Sequence, residues 1–479
     1  MSDIVLEVQR HGTMYLISSA GITLVGFLAT MFYAHWVGAS VLGQYFLFLS
    51  YFAIAGLFTD LGIGYAAMYR ICEGKDPDRY FSANLVLRLA LWIIVGGVML
   101  VFANQFGNLN HAGLLWILIA VLGISTLVSS LSTAIGASNR LGLAASVSLI
   151  DNISRIVIQV VAVFLGFQVY GLIGGLIAGL LTEIVIDIKY IDYHLRKFSW
   201  SHVRSIFSFS SWVFLLTICT ILFDNANPII IANFMSVSDV GIFGVCWTFS
   251  VFSLFVSTAL CNTLYVKVSR WNSLGDTNAI ISSLSRATTY SLIFGFPILV
   301  GGILLGKDLL YYLYGASFAT GATALIIIIS ARIVQSVFQL YSNFLMATDH
   351  ARMAFSAAGA GIIVNIIFSV IFIPFIGLEG AAIGSLVNIL VSIIIGWHYL
   401  GNVIPIVFER KPIAHILTAT AVMTGMLVLI RFLPVGRSAF ITGLFVLIGA
   451  VIYFGILLMI DDHIREDALR TLKIKWLQS

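Results

Sequence analysis

The sequence predicts an all-α, polytopic membrane protein of fourteen transmembrane helices: two pseudo-symmetric six-helix bundles plus two extra C-terminal helices. Three observations predict it. Hydrophobic residues make up 60% of the 479 and charged residues only 10%, with a mean hydropathy of +1.04, whereas soluble domains carry about 25% charged residues. The apolar residues gather into long runs. A run of about twenty suits a helix crossing a hydrocarbon core of about 30 Å, and it is too long for a barrel strand. Helices and closed barrels alone satisfy their backbone in lipid. Finally, a turn near the start of the chain recurs 198 residues later.

The runs fall at 14–37, 42–69, 81–103, 112–137, 143–166 and 169–190, then at 205–234, 240–266, 280–306, 319–346, 353–375 and 379–400, and last at 414–432 and 440–460. The first closes at Val37, turns at Gly38-Ala39-Ser40 and re-enters at Leu42. The second buries Asp60, followed by Leu61-Gly62-Ile63-Gly64, and ends on Arg70, Glu73 and Lys75. Ala34-x-Trp36, Ser40, Gly43 and Tyr45 return as Ala232-x-Phe234, Ser238, Gly241 and Phe243. Further along, Ala137-Ser138-Asn139-Arg140 parallels Ala347-Thr348-Asp349-His350, and Gly171-x-x-x-Gly175 parallels Gly380-x-x-x-Gly384. Spans 1–6 and 7–12 therefore read as two copies of one bundle. Six is even, so both copies keep one orientation and relate by an axis along the membrane normal. The expected parts are an N-terminal lobe (1–195), a second lobe (196–402), two appended helices (403–460) and an amphipathic tail (461–479). In the tail Ile464, Ala468, Leu472 and Trp476 recur every four residues, the spacing of one helix face.

Orientation follows from the loops. Nineteen of the 25 Lys and Arg residues lie in segments on the side of the N-terminus. Only Lys307, Arg431 and Arg437 lie in the opposite loops, and Arg88, Arg155 and Arg332 fall within spans. Cytoplasmic loops carry the positive excess, so both termini are expected in the cytoplasm and the chain in the cytoplasmic (inner) membrane. The first run lacks a small-residue cleavage site and is expected to remain as a span.

Composition also excludes. The net charge of +4 sits in particular loops, so no nucleic-acid partner is expected. Cys72, Cys219, Cys246 and Cys261 have neither metal nor disulfide spacing. No zinc-ligand, Ser/His/Asp or Cys/His cluster appears, so no catalytic residue, metal or cofactor is expected. Gly301-x-x-x-x-Gly306-Lys307 imitates a phosphate-binding loop, but Asp308 replaces Ser/Thr and the stretch ends an apolar run. Asp76-Pro77-Asp78 resembles the acid pair of nucleotide-sugar glycosyltransferases, yet a charged turn explains it better.

The candidate site residues are the charges inside spans, because an ionisable group in lipid is costly and its default reading is functional. Asp60 lies about three turns from Arg70. Asp151 and Arg155, four apart, can pair on one helix face, as a structural ion pair or as a substrate site. Arg332 has no obvious partner on its own helix and is too deep to snorkel easily; it should face an aqueous cavity or an acid on another helix. Arg88, two turns into its span, could snorkel to the inner surface. Asp224, Asn225, Asn227 and Pro228 interrupt span 7, where a proline frees a carbonyl and bends the helix. Glu183 and Asp187 read as interfacial.

The pattern of Ala, short turn, Leu42-Gly43-x-Tyr45, long apolar run, Asp60-Leu61-Gly62-Ile63 and Arg70-x-x-Glu73 resembles that of the oligosaccharide (O-antigen-type) flippases. These form the polysaccharide-transporter branch of the MATE-like MOP superfamily, which also holds the lipid II flippase. The family places Arg after the Ala that ends the first helix, where this chain has His35, so no role is carried onto that position. Family members commonly carry an acid where Asn227 stands, and Asp224 is the substitute one turn earlier. The resemblance implies a flippase for a polyprenyl-pyrophosphate-linked oligosaccharide, with membrane lipid as its surroundings. Arg155, Arg332 and Arg88 would bind substrate, and Asp60, Asp224 and Asp151 would line the cavity or couple an ion. With no ATP site, an H+ or Na+ gradient, the membrane potential or the cargo gradient would drive it. Two rivals are a MATE-type ion-coupled drug exporter, which lacks spans 13 and 14, and a membrane enzyme of glycan polymerisation. The latter needs acids in an outer loop, and the longest here holds only Asp308.

Overall fold

Glycine and proline positions decide where the long apolar runs become separate helices. The computed structural model describes residues 2–110, 113–138, 141–207, 212–431, 438–462 and 464–466. The Asn139-Arg140 part of one repeat motif, Arg437, and the tail past 466 lie outside the described residues. Every regular element described is helical: α1 (Ser2–Asp60), α2 (Ile63–Cys72), α3 (Pro77–Val101), the short α4 (Gly107–Asn110), α5 (Leu114–Ala137), α6 (Leu141–Phe164), α7 (Gln168–Tyr190), α8 (Trp200–Phe207), α9 (Trp212–Phe234), α10 (Val237–Ser250), α11 (Phe255–Leu274), α12 (Thr277–Leu292), α13 (Gly295–Tyr314), α14 (Ala322–Ala347), α15 (Ala351–Ile376), α16 (Leu378–Val403), α17 (Arg410–Arg431) and α18 (Ala439–Ile460). Short 3-10 turns lie at Ala103–Phe106, Val251–Leu254 and Ala316–Gly321.

Among the described residues, thirteen stretches are long and apolar enough to cross a membrane. The first, Gly21–Asp60, has 40 residues. As one straight helix it would reach about 60 Å, twice a bilayer core. It is broken at Gly38, whose φ of 74° and ψ of 179° only glycine adopts without cost. Divided there, it supplies the first two expected spans and brings the number to fourteen. The turn expected over 38–40 narrows to this one residue, since Ala39 and Ser40 are already helical.

The second expected span, 42–69, is itself discontinuous. Leu61 (φ 46°) and Gly62 (φ 77°) separate α1 from α2. Conversely, Pro228 does not interrupt span 7: α9 continues through it. The sequence Gly301 to Lys307 lies wholly inside α13, which removes any loop that could cradle a phosphate. The Asp76-Pro77-Asp78 turn starts α3, with Pro77 at its first position. Asp78 accepts the His194 N–H (3.1 Å) and pairs with Arg196 (3.1 Å), tying the 191–199 segment to α3.

The chain forms two compact units, 1–244 and 245–479. In the first, Gly171, Gly175 and Gly179 on α7 let α6 approach closely; a Cβ on Gly175 would sit 2.9 Å from the Arg155 carbonyl oxygen. Small residues at every fourth position do this in membrane helices. At the same interface Gln159, buried, accepts from the Tyr33 hydroxyl through Oε1 (2.9 Å) and donates through Nε2 to Tyr45 Oη (2.9 Å) and the Leu172 carbonyl (2.7 Å). A second close crossing joins the repeat motifs themselves. A Cβ on Gly43 would lie 2.9 Å from Gly241 N, and one on Gly241 would lie 3.0 Å from Gly43 N.

The second unit repeats the pairings of the first. α15 packs on α16 as α6 does on α7, α14 on α16 as α5 on α7, and α13 on α14 as α3 on α5. Gly380 and Gly384 stand against α15 at Phe372 and Ser369. The appended α17 and α18 join through Ile416, Ala419, Met423, Tyr453 and Leu457, with Phe296, Val300 and Leu304 packed against them. The Tyr453 hydroxyl donates to the Ile293 carbonyl (2.7 Å). The donor four residues on would be residue 297, and Pro297 has no N–H.

Candidate functional site

The discontinuity at Leu61-Gly62 creates the site. It leaves Asp60 as the last residue of α1, directly before the free N–H groups of α2. Asp60 Oδ1 accepts from the Gly64 N–H (3.1 Å), the bond a capping carboxylate makes. Arg88 of α3 donates through Nη2 to the same oxygen. The approach depends on Gly64, where a Cβ would collide with the Arg88 guanidinium. Arg88 is 5% exposed, and its Nε and Nη1 have no hydrogen-bond partner. One turn back on α3, Asn84 is fully buried with both side-chain polar atoms unpartnered.

Asp60 and Arg88 line a cavity of about 910 Å³ within the first unit, at the upper end of the range for small-molecule sites. Its polar wall comprises Thr59, Ser125, Thr126, Ser129 and Thr217; its aromatic wall comprises Phe52, Tyr65, Phe207 and Phe214. Hydroxyls and aromatic faces beside a guanidinium make a surface for an anion carrying polar, ring-shaped substituents.

Arg332 lies on α14 in the second unit. There α10 ends at Ser250 and a 3-10 turn precedes α11. Arg332, 3% exposed, donates from Nε to Ser250 Oγ (3.2 Å) and from Nη1 to Gln335 Oε1 (2.7 Å). Its Cζ lies 3.9 Å from the Trp247 ring centre, within cation–π range. It therefore does have a partner on its own helix, and an aromatic face and neutral polar groups are among its neighbours.

Asp151 and Arg155 do not form the expected ion pair. Arg155 Nη2 donates to Asn152 Oδ1 (2.6 Å) instead, while the Asp151 carboxylate lies over Gly179. Asp224 is partly buried on α9 and is not among the residues lining the cavity, which Ile221 reaches one turn earlier. Glu183 and Asp187 both meet the Ser132 hydroxyl, each at 2.9 Å, and Asp187 is buried.

Residues 37–323 match the family described as polysaccharide biosynthesis protein. The chain belongs to that family. Two *Haloferax volcanii* proteins are similar to this family member over nearly its whole length. One, described as a probable low-salt glycan biosynthesis flippase, Agl15, is 26% identical over 93% of this chain and 94% of its own. The other, a probable flippase, AglR, is 25% identical with the same coverage, 93% and 94%. Among solved structures, the lipid II flippase MurJ in an inward closed conformation matches with a TM-score of 0.74. It is 19% identical and covers 95% of this chain and 100% of its own. An inward-facing multidrug resistance MATE family transporter of the MOP superfamily matches at 0.64, 17% identical, over 83% of this chain and 96% of its own. These two establish a shared fold, and the family match bears out the expected polysaccharide-transporter resemblance.

Within this polysaccharide-family chain, sequence reasoning singled out both Asp60 and Arg88 but did not pair them, leaving Arg88 able to snorkel to the inner surface. The pair was open to detection, since Asp60 is ten residues before Arg70 and Arg88 nine after Arg79, at equal depth from one loop. Asn84, Gly64 and the hydroxyls of α5 carry no such signal.

Proposed function

We propose that this polysaccharide-family protein is a flippase that moves a lipid-linked oligosaccharide across the membrane by alternating access. The observation that carries the reading is the cavity at Asp60 and Arg88: a buried, incompletely bonded guanidinium under lipid is costly, and an anionic headgroup relieves that cost. The cargo would be a sugar chain on a polyprenyl pyrophosphate, its phosphates on Arg88 and its sugars against the hydroxyl and aromatic walls. Arg155 and Arg332 would be further cationic contacts, and Asp224 and Asp151 further polar groups along the path. An apolar cavity of about 280 Å³ in the second unit, lined by Phe252, Phe294, Pro297, Met423, Phe445 and Phe454, has the character an isoprenoid chain requires. The names of the *Haloferax* relatives and the near-complete match to a flippase fold support the reading over drug export.

In this reading no covalent bond is made or broken, the termini face the cytoplasm, and an ion or cargo gradient supplies the direction. The test is surface glycan in cells expressing variants at equal protein level. Arg88→Ala should cut export at least about tenfold, as loss of a charge-assisted bond implies. Arg88→Lys should be intermediate, because it keeps the charge and loses the planar fork. Undiminished glycan with Arg88→Ala would take the cavity out of the pathway.

A further inference from the structure

Resting on the cargo reading above, we propose that Asp60 is a resident stand-in for the cargo's phosphate: its carboxylate holds the anion site of Arg88 and α2 until a phosphate displaces it. The site is built for an anion. It combines a guanidinium 5% exposed with the N-terminus of the ten-residue α2, where free N–H groups and the helix dipole favour negative charge. A carboxylate supplied by the chain meets both demands, accepting from Gly64 N–H and from Arg88 Nη2.

The fit is incomplete in a way that matters. Arg88 offers five N–H donors, yet Nε and Nη1 remain without partners, as do both polar atoms of Asn84 on the same helix face. A carboxylate has two oxygens, and the bonds from Gly64 and Arg88 both use Oδ1 of Asp60. The cargo's pyrophosphate brings four non-bridging acceptor oxygens, two on each phosphorus, and can occupy the unused tines of the fork. Asp60 is also the more exposed partner. Its side chain is 36% exposed while that of Arg88 is 7% exposed, and it borders the cavity, so it can swing towards water when displaced. The displaced carboxylate then stands beside a bound dianion and opposes it. Occupation and release of cargo are thereby balanced on one guanidinium.

Asp60→Asn separates the roles, because asparagine keeps an oxygen to accept the Gly64 N–H and removes the competing charge. Purified protein in detergent would be titrated calorimetrically with inorganic pyrophosphate and with geranylgeranyl diphosphate. Asp60→Asn should bind both about tenfold more tightly than the unaltered chain, the difference between a charged and a neutral competitor for one guanidinium. Arg88→Gln should abolish binding in either background. A higher affinity for the prenyl form would assign the site to a lipid headgroup, and equal affinities to free phosphate; both support the exchange. Equal binding by Asp60→Asn and the unaltered chain would overturn the stand-in role while leaving the cargo site intact. Binding by neither protein would overturn both.

Discussion

A guanidinium under lipid must find partners for five N–H donors, and Arg88 and Arg332 meet that demand differently. Arg332 rests on Trp247 and bonds Ser250 and Gln335, so its surroundings hold it as part of the packing. Arg332→Lys keeps a charge over the ring but loses the fork. It should lower the stability of the second unit by about 1–3 kcal/mol, read as a drop in Tm of the purified protein. Arg88→Lys, whose fork is barely engaged, should change Tm much less. The same contrast explains what the sequence could reveal. A charge within an apolar run is visible in one dimension, and all six candidates were visible in that way. The partner is visible only when it lies at matching depth from a shared loop, as Asp60 and Arg88 do. An aromatic face such as Trp247 leaves no trace in spacing, because aromatic residues are spread throughout these helices. Nor does spacing show whether Asp151 or Asn152 will take Arg155; the choice depends on the glycines of α7 that draw the helices together.

At the level of helices, glycine marked breaks that the sequence exposes, and Gly38 is the plainest. The break at Leu61 was hidden because a leucine in an apolar run gives no reason to expect a positive φ; Asp60 capping α2 and Gly62 beside it stabilise the turn from outside. Proline misled in the opposite sense at Pro228, where α9 absorbs it without interruption. The third case, Pro297, shows how the protein handles a missing donor. Ile293's carbonyl is met by Tyr453 from α18, in surroundings without water to replace it. Tyr453→Phe removes only that hydroxyl and should cost about 1–3 kcal/mol, seen as a lower Tm. A Tyr453→Phe protein with unchanged Tm would show that the carbonyl finds another donor.

For the whole molecule, the loop charges predict which ends of the helices face which compartment. With Cys72, Cys219, Cys246 and Cys261 replaced, single cysteines at 104 and 167 should react with a membrane-impermeant thiol reagent in intact cells, and those at 76 and 194 should not. The opposite labelling would reverse the orientation. The duplication was legible because motifs recurring 198 to 210 residues apart survive in turns and glycines. The recurrence of helix pairings, α6–α7 with α15–α16 among them, is its three-dimensional form. What the offset could not reveal is that Gly43 and Gly241, its equivalent positions, are also in contact. The bond between Tyr453 and Ile293 spans 160 residues, and this bears on how the protein is made. A ribosome adding about 5–20 residues per second delivers Tyr453 roughly 10–30 s after Ile293 has been synthesised. For that interval the junction between α12 and α13 must wait in the membrane, or at its insertion machinery, with a carbonyl that its final partner has not yet reached. Completion of the second unit is thus tied to the arrival of α18, and a nascent chain stopped after α16 would leave the junction between α12 and α13 unfinished.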